Sequence, residues 1–309
     1  MNATSKGLWL GTLGVLIFSL TLPLTRMAVG SVAQPQLSGV FIAMGRAAVA
    51  GTLSLFFLLA TRAPRPRRGD WPLILATSLG AVFGFPLFTS IAMRYVEAVH
   101  ASVMLGVLPL ATAMVGAWLH RQRPSAGFWL CAVVGSALVA AFSMLHSGNA
   151  IAAAGMGVHW ADALLLLAML CAAVSYGAGA KLAGRMRADH VICWALVIAL
   201  PLSLPAVLAA WPQNAITPQA WWAFGYVAVF SMWIGFFAWY RGLALGGTVR
   251  VSQVQLIQPF LSMLFAVPLL GETLDAVTVA FGLAVIATVF IGKKMPVGTA
   301  TQMATGVTP

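Results

Sequence analysis

Ten apolar stretches, each about as long as a helix needs to cross the hydrocarbon core of a bilayer, follow one another with little between them. A spanning helix takes about 20 residues. The stretches run over about 7–29, 38–60, 71–93, 98–119, 125–145, 160–181, 190–211, 219–241, 250–270 and 274–292. In lipid every backbone N–H and C=O must be satisfied within the chain, so stretches of this length are read as helices. Composition excludes the alternative: 61% of the 309 residues are hydrophobic and 7% are charged, against roughly 25% charged in a soluble domain. No water-soluble interior of this size could hide that much apolar surface. The first stretch is followed by Ser31-Val32-Ala33, which has the small-x-small form of a signal cleavage site. Its length and Arg26 inside it instead favour a first span. The joins at 120–124 and 271–273 are short enough to make antiparallel hairpins.

The charges test this count. With the N-terminus inside, one side collects Lys6, the arginines of 62–68, Arg121, Arg123, Lys181, Arg185, Arg187, Arg241, Arg250, Lys293 and Lys294, which is 14 of the 17 basic residues. The other side has Arg26 and Arg94, and Arg46 is left within a span. Each missed helix would swap the sides of everything after it. The positive-inside rule therefore supports ten spans with both termini cytoplasmic. The net charge of +11 then faces anionic lipid headgroups and not nucleic acid. Trp71, Trp160, Trp211, Trp221, Trp222 and Trp239 fall near span ends, where amphipathic rings settle. Cys131, Cys171 and Cys193 sit in apolar runs, odd in number and without a zinc spacing.

Laid on itself at an offset of 150, the chain aligns Ser102 with Ser252, Pro109 with Pro259 and Thr112 with Ser262. Five spans is an odd number, so two such halves are mutually inverted, the arrangement common among secondary transporters. The expected fold is all-α and integral to the membrane, ten helices as two inverted five-helix repeats. Residues 1–146 form the first repeat and 147–292 the second. Residues 293–309 form a tail without apolar periodicity, expected to be disordered.

The chain resembles the EamA-type permeases of the drug/metabolite transporter superfamily over about residues 7–292. The residues that carry the likeness are Gly7-Leu8-Trp9, Arg46, Ala101-Ser102-Val103 through Leu108-Pro109-Leu110, and Val251-Ser252-Gln253 through Gln258-Pro259-Phe260, ending in Leu270-Gly271-Glu272. Arg121-Gln122 stands where the second half has Gly271-Glu272, a departure between the repeats. The resemblance implies a central cavity lined mainly by the first, third, fourth, sixth, eighth and ninth spans. It also implies a bacterial inner-membrane exporter of amino acids or other metabolites.

Several residues are candidates for the site. Pro109 and Pro259 lie near mid-span, where a proline removes a backbone bond, kinks the helix and frees carbonyls toward a cavity; shape alone would also explain them. Ser252, Gln255, Gln258 and Ser262 share one helical face, which must look into protein or water. Trp233 and Phe237 in the eighth span, Phe83 with Phe85 and Phe88 in the third, Tyr176 in the sixth, and Met104 and His100 in the fourth are candidate pocket residues, with ordinary packing as the alternative. Arg46 is the one basic residue deep in a span. It could attract a carboxylate or bond backbone carbonyls, and the resemblance places the second span away from the cavity centre, which favours a structural role. Small residues at Ala132, Ser136 and Ala140, and at Ala280, Ala284 and Thr288, suit close helix packing, inside one molecule or in a homodimer.

The six acids, Asp70, Glu97, Asp162, Asp189, Glu272 and Asp275, all fall near span ends. Proton-coupled pumps place a carboxylate or histidine in the membrane, and cationic substrates pair with buried acids. The pattern therefore favours a neutral or zwitterionic solute. No phosphate-binding loop, metal constellation or cofactor motif is present, so the chain reads as a non-enzyme that works without a cofactor. An intramembrane lipid-modifying enzyme would need clustered His, Asp or Glu near an interface, and a scaffold would need a soluble domain. The expectation is a solute exporter working by alternating access, with apolar or aromatic amino acids first and other metabolites or drugs second.

Overall fold

The computed structural model describes residues 2–119, 158–246 and 253–294, with residue 251, residues 297–299 and short pieces between 122 and 141. Within them five helices are long and apolar enough to cross a membrane: Ser5–Val29, Gly39–Ala60, Arg68–Ala92, Trp160–Ala183 and Pro218–Gly246. A sixth segment is the pair Ala188–Val197 and Leu200–Ala209, bent by 54°. Shorter apolar helices cover Ala98–Thr112, Gln258–Leu270 and Ala276–Thr288. Every expected segment except the fifth is thus helical. The fifth, with Ala132, Ser136 and Ala140, lies largely outside the described residues, as do Ser252, Arg250 and the 148–157 loop.

Local sequence explains where these helices start, bend and stop. The first span breaks between Ala3–Ser19 and Thr21–Val29. Pro23 has no N–H to give the Ser19 carbonyl, and the Ser262 hydroxyl donates to that carbonyl instead, at 2.7 Å. Gly30 ends the span at φ +69°, a backbone conformation that favours glycine. The Gly39–Ala60 helix runs unbroken for 22 residues, its first turn capped by the Ser38 hydroxyl, which accepts from the Phe41 N–H at 3.0 Å. The seventh span bends at Ile198–Ala199 because Pro201 opens the next helix.

Two spans contain a π-helical stretch, Ser78–Gly84 in the third and Val227–Ile234 in the eighth. Two others are interrupted before a proline. The fourth has a turn at Gly106–Val107, after which Leu108–Leu119 begins. The ninth has the 3-10 stretch Gln253–Ile257 ahead of Gln258–Leu270. Pro109 and Pro259 therefore do not kink a continuous helix. Each stands second in a new helix, where its missing N–H costs nothing, and the break lies just before it.

The two halves pack on one another throughout. Ala3–Ser19 lies along Gly235–Gly246, Phe85–Ala92 and Leu108–Leu119 lie on Val158–Ala183, and Gly39–Ala60 faces Ala188–Val197 and Leu200–Ala209. At one close crossing a Cβ on Gly7 would stand 2.4 Å from the Gly246 nitrogen, so only glycine permits that approach. Phe56, Leu59, Leu79, Leu202 and Leu208 are exposed on the exterior while Arg46, Gln255 and Gln258 are buried. That is the distribution of a chain whose solvent is lipid. Val297–Thr299 pairs antiparallel with Gln122–Pro124.

Candidate functional site

The broken and π-helical segments converge on one place. Phe18 and Thr21 flank the break in the first span. Ala81 and Phe85 come from the third, Leu108 from the fourth, and Ala172, Ser175 and Tyr176 from the sixth. Ser231 and Phe236 come from the eighth, Gln258 from the ninth and Arg46 from the second. Together they enclose a cavity of about 20 Å³, room for about one water-sized group. The wall is largely apolar and aromatic, with a polar cluster on one side. Arg46 is 2% exposed and Gln258 is 4% exposed.

Arg46 is the one charged residue among those lining this cavity. Its Nη2 donates to the Ser231 hydroxyl at 3.2 Å, and that hydroxyl is 2.8 Å from the Thr21 hydroxyl. Its Nε and Nη1 have no hydrogen-bond partner among the described residues, and neither has Gln258 Oε1. A guanidinium offers five N–H donors, and placing one mid-membrane costs about 2.5–3.5 kcal/mol. The resemblance sets the second span away from the cavity centre, whereas Arg46 lies among the residues lining this cavity. The Gly39–Ala60 helix delivers its one cation into the cavity wall, beside the six spans the resemblance implied.

The other candidates divide. Tyr176 and Gln258 line the cavity. Trp233 and Phe237 pack against Phe57 at ring distances of 6.1 and 5.2 Å, and Phe236 takes the lining position. Phe83 is partly buried against the core while Ala81 and Phe85 line the cavity. Met104 is buried core. Gln255 is buried outside the lining, both its amide atoms without a partner among the described residues. Leu108 and Gln258, the neighbours of Pro109 and Pro259 in sequence, line the cavity. Sequence reasoning missed Phe18, Thr21, Ser175, Ser231 and Phe236. The hydroxyls carry no signal of their own, because in a helix such groups commonly bond the preceding turn, as Ser19 does to the Val15 carbonyl at 2.7 Å.

Polar ties hold both ends of the bundle. At one end Glu272 accepts from the Ala98 and Val99 N–H groups at 2.8 and 2.7 Å, satisfying the first turn of the fourth span from the end of the ninth. His100 and Asp162 meet there at 2.7 Å, both buried, so His100 joins the fourth span to the sixth. A cleft of about 520 Å³ at this end is bordered by Arg26, Gln34, Gln36, Glu97 and Glu272. Burial holds the Glu272 carboxyl above its ordinary range, opposed by the two N–H bonds. At the other end of the Gly39–Ala60 helix, Arg185 donates to Asp70 at 2.9 Å. Among the described residues no group of three or more His, Cys, Asp or Glu is placed to hold a metal.

Comparison with known proteins agrees with this architecture. A solved chain described only as "Crystal structure of protein" superposes with a TM-score of 0.62 over 93% of this chain and 96% of its own, at 18% identity, which is a likeness of fold. The chain is 40% identical over 302 residues to the uncharacterized transporter YdeK of Bacillus subtilis, covering 95% of this chain and 99% of that one. It is 24% identical over 251 residues to the uncharacterized transporter sll0355 of Synechocystis, covering 76% of each. The EamA-like transporter family matches twice, over residues 5–144 and 159–292. The chain belongs to the EamA-like transporter family, multi-pass membrane transporters of the drug/metabolite transporter superfamily.

Proposed function

We propose that this transporter exports a small organic solute by alternating access through the central cavity. In this reading ten spans form two inverted five-helix repeats, 1–146 and 147–292, in a bacterial inner membrane with both termini cytoplasmic. The carrying observation is the cavity itself: spans from both halves meet there at their breaks, and buried polar atoms face an apolar, aromatic wall. The inverted repeat is supported by matched interruptions. Ser78–Gly84 and Val227–Ile234 are both π-helical, and the breaks before Pro109 and Pro259 agree with the offset of 150. Irregular turns of this kind recur at functional sites and let a helix flex without unfolding.

In this orientation the 520 Å³ cleft faces outward, and the Asp70–Arg185 tie joins the halves at the inner face. Opening inward would break that tie, and opening outward would enlarge the cleft down to the contracted cavity. The aromatic wall favours a solute with an apolar or aromatic body, and apolar or aromatic amino acids remain the first class to test, followed by related metabolites. The test is flux. Purified protein in proteoliposomes, loaded with labelled aromatic and aliphatic amino acids and their metabolites, should release some of them faster than protein-free vesicles. Equal rates across the panel would remove the reading.

A further inference from the structure

We infer that the solute admitted to the central cavity, once it widens from its contracted form, is a monoanion, a carboxylate on a compact aromatic or apolar body, with Arg46 as its counter-charge. This rests on the cavity being the transport site and names what that site takes. Three observations carry it. First, Arg46 is 2% exposed and lines the cavity, so it stands as a full charge in a place water reaches poorly. Second, its protein partner is one neutral hydroxyl, Ser231, at 3.2 Å, and its Nε and Nη1 have none among the described residues. Third, none of the six acids lines the cavity: Asp70, Asp162, Asp189 and Glu272 are tied at the two ends of the bundle, Glu97 borders the cleft and Asp275 caps Thr278.

A charge enclosed in low dielectric strongly favours an opposite charge beside it. A monoanion makes the closed cavity neutral, and its oxygens accept charge-assisted bonds from donors that are otherwise unspent. A zwitterion leaves one net positive charge enclosed, and a cation doubles it. The neutral acceptor Gln258 Oε1 suits a hydroxyl on the solute. It does not supply the negative charge that an ammonium would need. Phe18, Phe85 and Phe236 give its body an apolar seat. The expectation of a neutral or zwitterionic solute, drawn from the lack of deep acids, thus turns toward the anion once the cation is seen in the cavity wall.

The test uses three near-isosteric probes, 3-phenylpropionate (anion), phenylalanine (zwitterion) and phenethylamine (cation), with the purified full-length protein. Binding is read by calorimetry or thermal shift, and folding of each variant by its elution profile and melting curve. The expected order is propionate first, then phenylalanine, with the amine not binding. Arg46→Gln should weaken propionate binding by about tenfold or more, the effect of losing one charge-assisted pair, while Arg46→Lys retains much of it. Phenylalanine binding as tightly as the propionate, no binding of the propionate, or equal propionate affinity in wild type and Arg46→Gln would each overturn the inference. Flux in proteoliposomes is scored separately. A protein that binds the propionate but moves no solute refutes the proposed transport and leaves the anion site standing; one that moves phenylalanine with Arg46→Gln unimpaired refutes the anion site and leaves transport standing.

Discussion

Arg26 and Arg94 stand in or beside apolar spans, as Arg46 does, yet they are used differently. The Nη1 of Arg26 donates to the carbonyls of Gly30, Met93 and Arg94 at 3.2, 2.6 and 2.8 Å. The Nη2 of Arg94 donates to those of Val29, Gln36 and Leu37 at 3.2, 3.5 and 2.8 Å. Together they stitch the end of the first span to the start of the second and the end of the third. Among the described residues Arg46 makes one side-chain hydrogen bond, to a neutral hydroxyl. An arginine in a membrane protein is thus structural where loops and helix ends offer it carbonyls. In mid-helix every carbonyl is already engaged, and the donors left over point to a ligand.

The contrast between these arginines is tested most severely on stability. Arg94→Met should lower folding stability by about 3 kcal/mol or more, since two or three charge-assisted bonds each contribute about 1.5–3 kcal/mol. Arg46→Met should fall within about 1 kcal/mol of wild type or above it, because it removes an underpartnered buried charge and leaves a methionine in an apolar wall. Melting curves in one detergent decide between them. A large loss for Arg46→Met would mean that the guanidinium holds the bundle together and that its spare donors mislead.

A second test concerns the boundary of the cavity around Arg46. Phe236→Leu should reduce solute release severalfold, and Phe237→Leu much less, because only Phe236 lines the cavity while Phe237 packs on Phe57. Equal losses would mean that the wall is drawn in the wrong place.

The smallest effect concerns the rim near Arg26. Burial raises the Glu272 carboxyl above its ordinary 4.5, so the folded chain keeps that proton to higher pH than the unfolded chain does. The contribution of this group to stability is then full below the ordinary value and is lost as pH rises through the folded one. Glu272→Gln should remove that component, flattening the limb over which melting temperature falls as pH rises above the ordinary value. An unchanged limb would show that the group titrates as it does in the unfolded chain.

Legibility differed with the physics involved. The helical segments were readable because length and apolarity alone decide whether a segment crosses lipid. Tyr176 was readable as a candidate because it is an aromatic ring within a span, and Gln258 because it is a polar group set where lipid would not tolerate it. A regular turn of 3.6 residues selects Trp233 and Phe237 ahead of Phe236. The π-helical Val227–Ile234 stretch puts an extra residue into the turn and rotates the rest of the helix, so a neighbouring ring faces inward. The same shift separates Phe83 from Ala81 and Phe85 around Ser78–Gly84. Thr21 and Ser231 could not be found, because their value lies in a contact 210 positions apart in the chain.

Composition and the order of residues along the chain were enough to define the solvent of this protein, the helical nature of its apolar segments and its family. They were not enough to place Arg46. A helix fixes which face a side chain occupies but not what packs against that face. It took the approach of the first, second and eighth spans to put a nearly unpartnered cation beside Ser231 and Thr21 and to turn a lone charge into the wall of a cavity.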